Sequence, residues 1–323
     1  MGPADLSEIL TDVNRCKNRG VVIGTGDDAG VFRHKNILMV ETVDVITPIV
    51  DDPYTFGAVC AANSVSDVFA MGGRPLTALA ILGYASCDFG PPVIRQLLKG
   101  SVEKLNEAGA CLIGGHSIED EQFKFGFAVS GVVEKNAVLK VAGASAGDVL
   151  VLTKPLGTGI LTSAVKLKKM KKAGLKTVVD SMLMLNKKAS EAAVSAGSRA
   201  ATDVTGFGLL GHALNIAKSS KVNLVIQYDK VPLMSRVKEF IAKGVVPKGA
   251  KNNLSFCSKN VDFSAGIEDV DRLSMSDPQT SGGLLICLPP KGLKKFKQRA
   301  GREKMPYWII GEVVKGRGRI KVE

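Results

Sequence analysis

Five aspartates sit where folding alone gives them little to do. Asp27 and Asp28 are adjacent in the glycine turn Gly24-Thr25-Gly26-Asp27-Asp28-Ala29, between two strand-like runs. Asp44 falls where an apolar run gives way to a loop. Asp67 lies inside a helix that starts at Pro53, and Asp203 lies in Ala201-Thr202-Asp203-Val204-Thr205-Gly206. Glycines permit a sharp turn. Carboxylates that converge repel one another unless a cation neutralises them. Oxygen-only ligands suit magnesium, which binds a few carboxylates together with substrate phosphates. The pattern therefore points to a Mg–nucleotide site. Asp67 is the hardest to explain otherwise, because an acid on an apolar helix face needs a partner, and Asn63, four residues earlier, shares that face. Asp27 and Asp28 also suit a plain turn. Asp203 also suits the cap of a helix beginning near Phe207.

A second glycine-rich stretch, Gly114-Gly115-His116-Ser117, follows the apolar run Ala110–Ile113. Backbone amides at such a turn can approach a phosphate or ribose. His116 suits a ligand contact there, and equally a satisfied structural histidine. No GxxxxGK[ST] occurs, so a P-loop is excluded. Gly206-Phe207-Gly208-Leu209-Leu210-Gly211 fits GxGxxG, but Ser198–Thr205 before it reads as small and polar rather than as a buried strand. That argues against a dinucleotide fold.

The elements that must position these residues alternate. Strands are expected at Val21–Ile23, Ile37–Val45, Ala78–Leu82, Ala110–Ile113, Phe125–Val133, Val149–Thr153, Leu224–Tyr228, Gly283–Leu288 and Trp308–Val314. Asp52 is the expected N-cap of a helix whose first residue is Pro53, and Gly72-Gly73 should stop it. A further helix is expected over Pro92–Ala108. The alternation implies mixed α and β layers. A connector at Gly143–Gly147 divides the chain into 1–147, expected to carry the nucleotide, the metal and the dimer contact, and 148–323, a second α/β domain. Ile37–Val45 and Phe125–Val133 are apolar enough to be covered on both faces, which a lone small sheet rarely achieves.

Composition narrows the class. Of 323 residues 45% are hydrophobic but only 5% aromatic, so the core must be aliphatic. The six cysteines form no CxxC pair, which argues against zinc, and Cys60, Cys111 and Cys287 sit in apolar runs that suggest buried thiols. No signal peptide and no apolar run long enough to span a membrane is evident, so a soluble, cytoplasmic protein without membrane contact is expected. The net charge of +12 is concentrated in Lys166–Lys176 and Lys291–Arg302. Both read as solvated helix faces. Without interleaved aromatics, nucleic-acid binding is not expected.

Five blocks, in this order, resemble the signatures of selenophosphate synthetase (selenide, water dikinase). They are Thr47–Pro53, Ser66–Gly73, Gly114–Ser117, Thr202–His212 and Asp277-Pro278-Gln279-Thr280-Ser281-Gly282-Gly283-Leu284-Leu285. The likeness spans essentially the whole chain, and the last two blocks are the specific ones. It implies an α+β fold of two mixed α/β domains of the aminoimidazole ribonucleotide synthetase-like type, with the N-terminal domain pairing with its copy through an intersubunit β-barrel. It implies a homodimer that uses ATP and selenide, with Mg2+ as cofactor, and yields selenophosphate, phosphate and AMP. It implies Asp28, Asp67 and Asp203 as metal ligands. It implies Thr25, Gly26, Asp27, Asp44, Asp67, Gly114, Gly115, His116 and Ser117 at the nucleotide.

The family also carries a glycine-rich loop with a cysteine or selenocysteine and a lysine three residues later, just before a stretch resembling Gly2–Leu6. That loop is not in this sequence, and Cys16-Lys17 does not replace it, so impaired selenophosphate synthesis is expected. Two other readings remain open: a paralogous ATP-dependent kinase or synthetase, and a catalytically silent nucleotide-binding regulator. The Asp277–Leu285 block favours the first reading over the paralogue.

Overall fold

A computed structural model describes residues 18–323, so Cys16 and Lys17 lie outside the described residues. The first half builds a six-stranded sheet from β1 (Val21–Ile23), β2 (Gly30–His34), β3 (Ile37–Ile46), β4 (Arg74–Tyr84), β5 (Cys111–Glu119) and β6 (Lys124–Val132), in the order β1-β2-β3-β6-β4-β5. All neighbours are antiparallel except β4 and β5, which run parallel because a helix crosses between them.

That helix, α3 (Pro91–Ala108), packs on α1 (Pro53–Ser64). Asp52 caps α1 as its sequence suggests, its Oδ2 accepting from the Thr55 amide at 2.8 Å. Two glycines set how closely the helices approach. A Cβ on Gly57 would come within 2.0 Å of the Leu97 carbonyl oxygen, and one on Gly100 within 2.0 Å of that of Tyr54. The expected single helix from Pro53 is in fact two. It turns at Val65, and Asp67 belongs to the short α2 (Ser66–Ala70).

The second half builds a seven-stranded sheet in the order β10-β13-β9-β12-β7-β11-β8. Its strands are β7 (Val149–Leu152), β8 (Ala200–Asp203), β9 (Val222–Ile226), β10 (Val261–Phe263), β11 (Leu284–Leu288), β12 (Trp308–Lys315) and β13 (Ile320–Val322). Helices α4 (Thr158–Lys166), α5 (Lys176–Leu183), α6 (Lys187–Ser195), α7 (Gly208–Ser220), α8 (Val237–Ala242), α9 (Lys248–Cys257), α10 (Asp269–Met275) and α11 (Pro290–Arg302) surround it. Leu150, Leu152, Leu285 and Cys287 face a core shared with α7. Val151, Leu284, Ile286 and Leu288 face one shared with α6 and α11. Central strands covered on both faces read as continuous apolar runs, as Leu284–Leu288 does.

Three local expectations need correction. Cys111 is exposed, because β5 is an edge strand, while Cys60 and Cys287 are buried. Ala200–Asp203 is a fully buried strand despite its small polar residues. It pairs antiparallel with β11 at the sheet edge, so the GxGxxG after it still lacks the adjacent parallel βαβ unit of a dinucleotide fold. Asp44 lies within β3, which extends to Ile46, and not beyond its end.

Candidate functional site

Asp28, Asp44, Asp67 and Asp203 come together from both halves of the chain. Asp28 follows the Gly26 turn, where φ of +106° suits glycine. Asp44 projects from the helix-covered side of β3, Asp67 from the first turn of α2, and Asp203 from the end of β8. Asp203 does not cap the following helix, whose N-cap position is Phe207.

Each carboxylate is anchored through one oxygen by a neutral donor. The Thr202 hydroxyl donates to Asp28 Oδ1 at 2.7 Å, and Asn63 Nδ2 donates to Asp44 Oδ2 at 2.8 Å. The Thr42 hydroxyl donates to Asp67 Oδ2, and the Ser66 hydroxyl donates to Asp203 Oδ2 at 2.6 Å. Among the described residues no side-chain donor reaches the second oxygen of any of the four, and Asp28 Oδ2 is buried without a partner. Anchoring by neutral donors fixes direction while leaving the charge uncompensated.

The electrostatics follow. Burial, then the charge of Asp203, raise Asp28 and Asp67 well above the usual carboxylate range. The same two causes lift Asp44 to about 7. Burial raises Asp203, which the Ser66 hydrogen bond and the nearby Lys154 ammonium partly offset. Such a set asks for a cation. Among the described residues no three His, Cys, Asp or Glu side chains converge tightly enough to enclose an ion by themselves. The free, buried Asp28 Oδ2 fits a hard oxygen-seeking cation such as magnesium, which takes few protein carboxylates and draws its other ligands from water and substrate phosphates.

The other expected site residues lie elsewhere. Asp27 turns away from the cluster and accepts the Val141 amide at 3.1 Å, while Thr25 and Gly26 are exposed on the turn. Gly114, Gly115, His116 and Ser117 are not a turn at all; they run within edge strand β5, each of them exposed. Cross-strand register lines up Asp44, Phe127, Ala80 and Gly115 in one row. Three strand spacings separate the ends of that row, roughly 14 Å. His116 falls in the row of Val45, on the face opposite the helices.

The Asp277–Gly283 turn supports the cluster from below. Gln279 Oε1 accepts the Gly157 and Thr158 amides, capping α4. Ser281 holds a left-handed φ of +48°. Its amide donates to Asn63 Oδ1 at 2.8 Å, and its carbonyl accepts from Lys154 Nζ at 2.7 Å. Asn63 thus orients Asp44 because the turn orients Asn63. Asn186 Nδ2 joins the Ser66 hydroxyl to the Gly282 carbonyl. Lys154 is buried, and burial pushes its ammonium down to about 7. A lysine ending the apolar run Val149–Thr153 was the signal that could have placed it beside the acids.

Comparison with known proteins agrees over both halves. Residues 26–133 match the AIR synthase related protein N-terminal domain, and residues 145–323 match the corresponding C-terminal domain. The chain is similar to "Selenide, water dikinase" of Citrifermentans bemidjiense, 42% identical over 97% of this chain and 91% of that one. It is similar to the protein of the same name from Clostridioides difficile, 39% identical over 97% and 91%. Among solved structures, thiamine monophosphate kinase from Aquifex aeolicus superposes with a TM-score of 0.70 at 18% identity, covering 99% of this chain and 95% of that one. Hydrogenase maturation protein HypE in complex with ATP superposes with a TM-score of 0.65 at 17% identity, covering 98% and 85%. At those identities the likeness establishes the shared fold.

Proposed function

From the premise that this chain belongs to the selenide, water dikinase family, we propose how its acidic cluster serves the reaction. The enzyme uses ATP and water to convert selenide to selenophosphate, releasing phosphate and AMP. Asp28, Asp67 and Asp203 hold Mg2+, and Asp44 completes the acidic wall beside Asp67. When bound, the metal neutralises charge on the transferring phosphoryl groups, the main task in phosphoryl transfer. The chain's own part is positioning. Thr42, Asn63, Ser66 and Thr202 each hold one oxygen of a carboxylate, so that the other oxygen faces the site without reorganising when charge arrives. Thr25, Gly26 and Asp27 line the nucleotide at the turn. Gly114, Gly115, His116 and Ser117 contact a different part of it, being a sheet's breadth from Asp44.

The observation that carries this reading is the set of four carboxylates, Asp203 buried and the other three half-buried, each anchored on one oxygen and, among the described residues, without a side-chain donor on the other. Asp67→Asn is nearly isosteric and removes one charge. It is expected to weaken Mg-dependent ATP binding and to cut the rate by about 10²-fold or more, while the melting transition stays cooperative. Calorimetry of ATP with and without Mg2+ checks this, with phosphorus NMR following selenophosphate. An affinity equal to that of the wild type would remove Asp67 from the site.

The protein works as a homodimer joined through the N-terminal sheet. Val43, Val45, Leu79, Ile113 and Ile118 are large, apolar and exposed on that sheet, and a contiguous apolar patch marks an interaction surface. Sedimentation at micromolar concentration that gives only monomer would contradict it. We place the domain boundary at 147 and the enzyme in the cytoplasm. No described helix is long and apolar enough to cross a membrane.

A further inference from the structure

The Thr202 hydroxyl has three neighbours and one proton. Asp28 Oδ1 lies at 2.7 Å, the Asp203 carbonyl oxygen at 3.2 Å and His212 Nδ1 at 3.3 Å. Which of them receives the proton decides whether Asp28 is held. The answer comes from the far side of the imidazole. The Thr205 backbone amide donates to His212 Nε2 at 3.1 Å, and the Thr205 hydroxyl lies 3.3 Å from the same nitrogen. A backbone N–H can only donate, so Nε2 must carry the lone pair. His212 is buried on α7 with the Phe207 ring 5.7 Å from its own, centroid to centroid, and burial pushes it down to about 4. A neutral ring with a bare Nε2 has its single proton on Nδ1. That proton points at Thr202 Oγ1 and fills an acceptor position on it. The Thr202 proton is then directed to Asp28 Oδ1, its nearest acceptor.

We propose that His212 and Thr202 are positioning residues that form a one-way hydrogen-bond chain. It runs from the Thr205 amide through the His212 ring and the Thr202 hydroxyl to Asp28 Oδ1, and it leaves Asp28 Oδ2 as the oxygen turned to the cation. The chain begins at a donor that cannot reverse, so its direction does not depend on whether a metal is bound. If His212 held the other tautomer, Nδ1 would compete for the Thr202 proton, and Asp28 Oδ1 would lose its only side-chain donor among the described residues. This inference rests on Asp28 as a metal ligand.

Two measurements test it. In the 15N-labelled wild-type protein without metal, NMR is expected to show His212 protonated at Nδ1 and bare at Nε2; the opposite tautomer overturns the proposal. In the second, Mn2+ alone is titrated as a spectroscopic probe of the magnesium site. Thr202→Val keeps the shape and removes the donor. It is expected to weaken Mn2+ binding by about 10–100-fold, the usual effect of losing a partner behind a ligand, and to raise the metal needed for half-maximal rate more than it lowers kcat. Thr202→Ser, which restores the hydroxyl, should recover the binding. His212→Phe removes both ring nitrogens and should resemble Thr202→Val, whereas His212→Asn keeps a donor near Nδ1 and should fall between Phe and wild type. Asp28→Asn separates the two ideas. If it binds Mn2+ as the wild type does, the assignment of Asp28 to the metal fails. If it loses Mn2+ while Thr202→Val does not, only the chain through Thr202 fails.

Discussion

The two sheets are made of similar residues and end in different surroundings. In the C-terminal sheet the chain's own helices cover both faces, and every residue of Leu284–Leu288 is buried. In the N-terminal sheet α1 and α3 cover one face only. Along β3, Leu38 and Val40 are buried while Val43 and Val45 face outward. The acidic cluster sits where the two sheets meet, with Asp44 and Asp67 from the half-covered side and Asp203 from the closed side. Apolar strands therefore indicate that a face must be covered, but not by what. The closed sheet supplies rigidity, and the open one is left with a surface for a second copy.

The largest effect should come from a truncation in the closed sheet. Leu285→Ala empties part of a closed core and is expected to cost about 2–5 kcal/mol of stability without changing the oligomeric state. Denaturant unfolding together with sedimentation would show it. A loss well under that range would mean that the C-terminal core is looser than its burial indicates.

A smaller effect should separate the two halves by pH. Burial holds Asp44 and Asp277 at about 7. Their folded values are raised above the ordinary carboxylate range, so their contribution to stability is complete below the unfolded value, about 4, and is lost as pH rises through 7. His212 opposes this. Its folded value of about 4 makes its contribution present above the unfolded value and lost as pH falls through 4. Lys154, lowered to about 7, opposes it too, but with several raised carboxylates against these two lowered bases metal-free protein is expected to melt at a lower temperature at pH 7.5 than at pH 5.5. Asp44 stands in the open cluster, where a cation can take the place of its proton. Asp277 is enclosed by the Gly159 amide and Gln279, with Oδ1 buried and unpartnered. Mg–ATP should therefore flatten only part of the slope. Asp44→Asn is expected to reduce the metal-sensitive share, leaving what Asp28 and Asp67 contribute, and Asp277→Asn to reduce the insensitive one. Melting curves across pH with EDTA or Mg–ATP check it, and a slope that Mg–ATP removes entirely would put both acids in the open site.

The smallest effect on stability should come from the bare face. Val43→Asp, at a side chain 60% exposed, is expected to change unfolding free energy by within about 0.5 kcal/mol of the monomer's value. It should nonetheless split the dimer, as read by sedimentation. A dimer that survives would move the interface off this face.

Much of this arrangement was legible from the residues. Asp52-Pro53 announced the start of α1, because a capping side chain and a proline at the first helical position act locally. Adjacent carboxylates in a glycine turn announced a charge problem in need of a cation. Gly114–Ser117 misled, because two glycines read as a turn, whereas here Gly115 lets an edge strand lie close to β4. A Cβ on Gly115 would meet the Ala80 carbonyl oxygen at 2.4 Å. Ala200–Asp203 misled in the other direction: small polar residues suit a buried strand once Asp28 accepts from the Thr202 hydroxyl and the Ser66 hydroxyl donates to Asp203.

By itself the sequence determined which residues carry charge, where short-range signals start and stop elements, and which family pattern the blocks follow. These depend on neighbours a few positions apart. Only the tertiary structure decided which oxygen of each aspartate is free, that Lys154 lies beside Asp203, and that Ser281 links that lysine to Asn63 and so to Asp44. Those relations join residues up to 218 positions apart, as with Ser281 and Asn63. A hydrogen bond is set by distance and angle, and neither is written in the order of the chain until the two sheets have met.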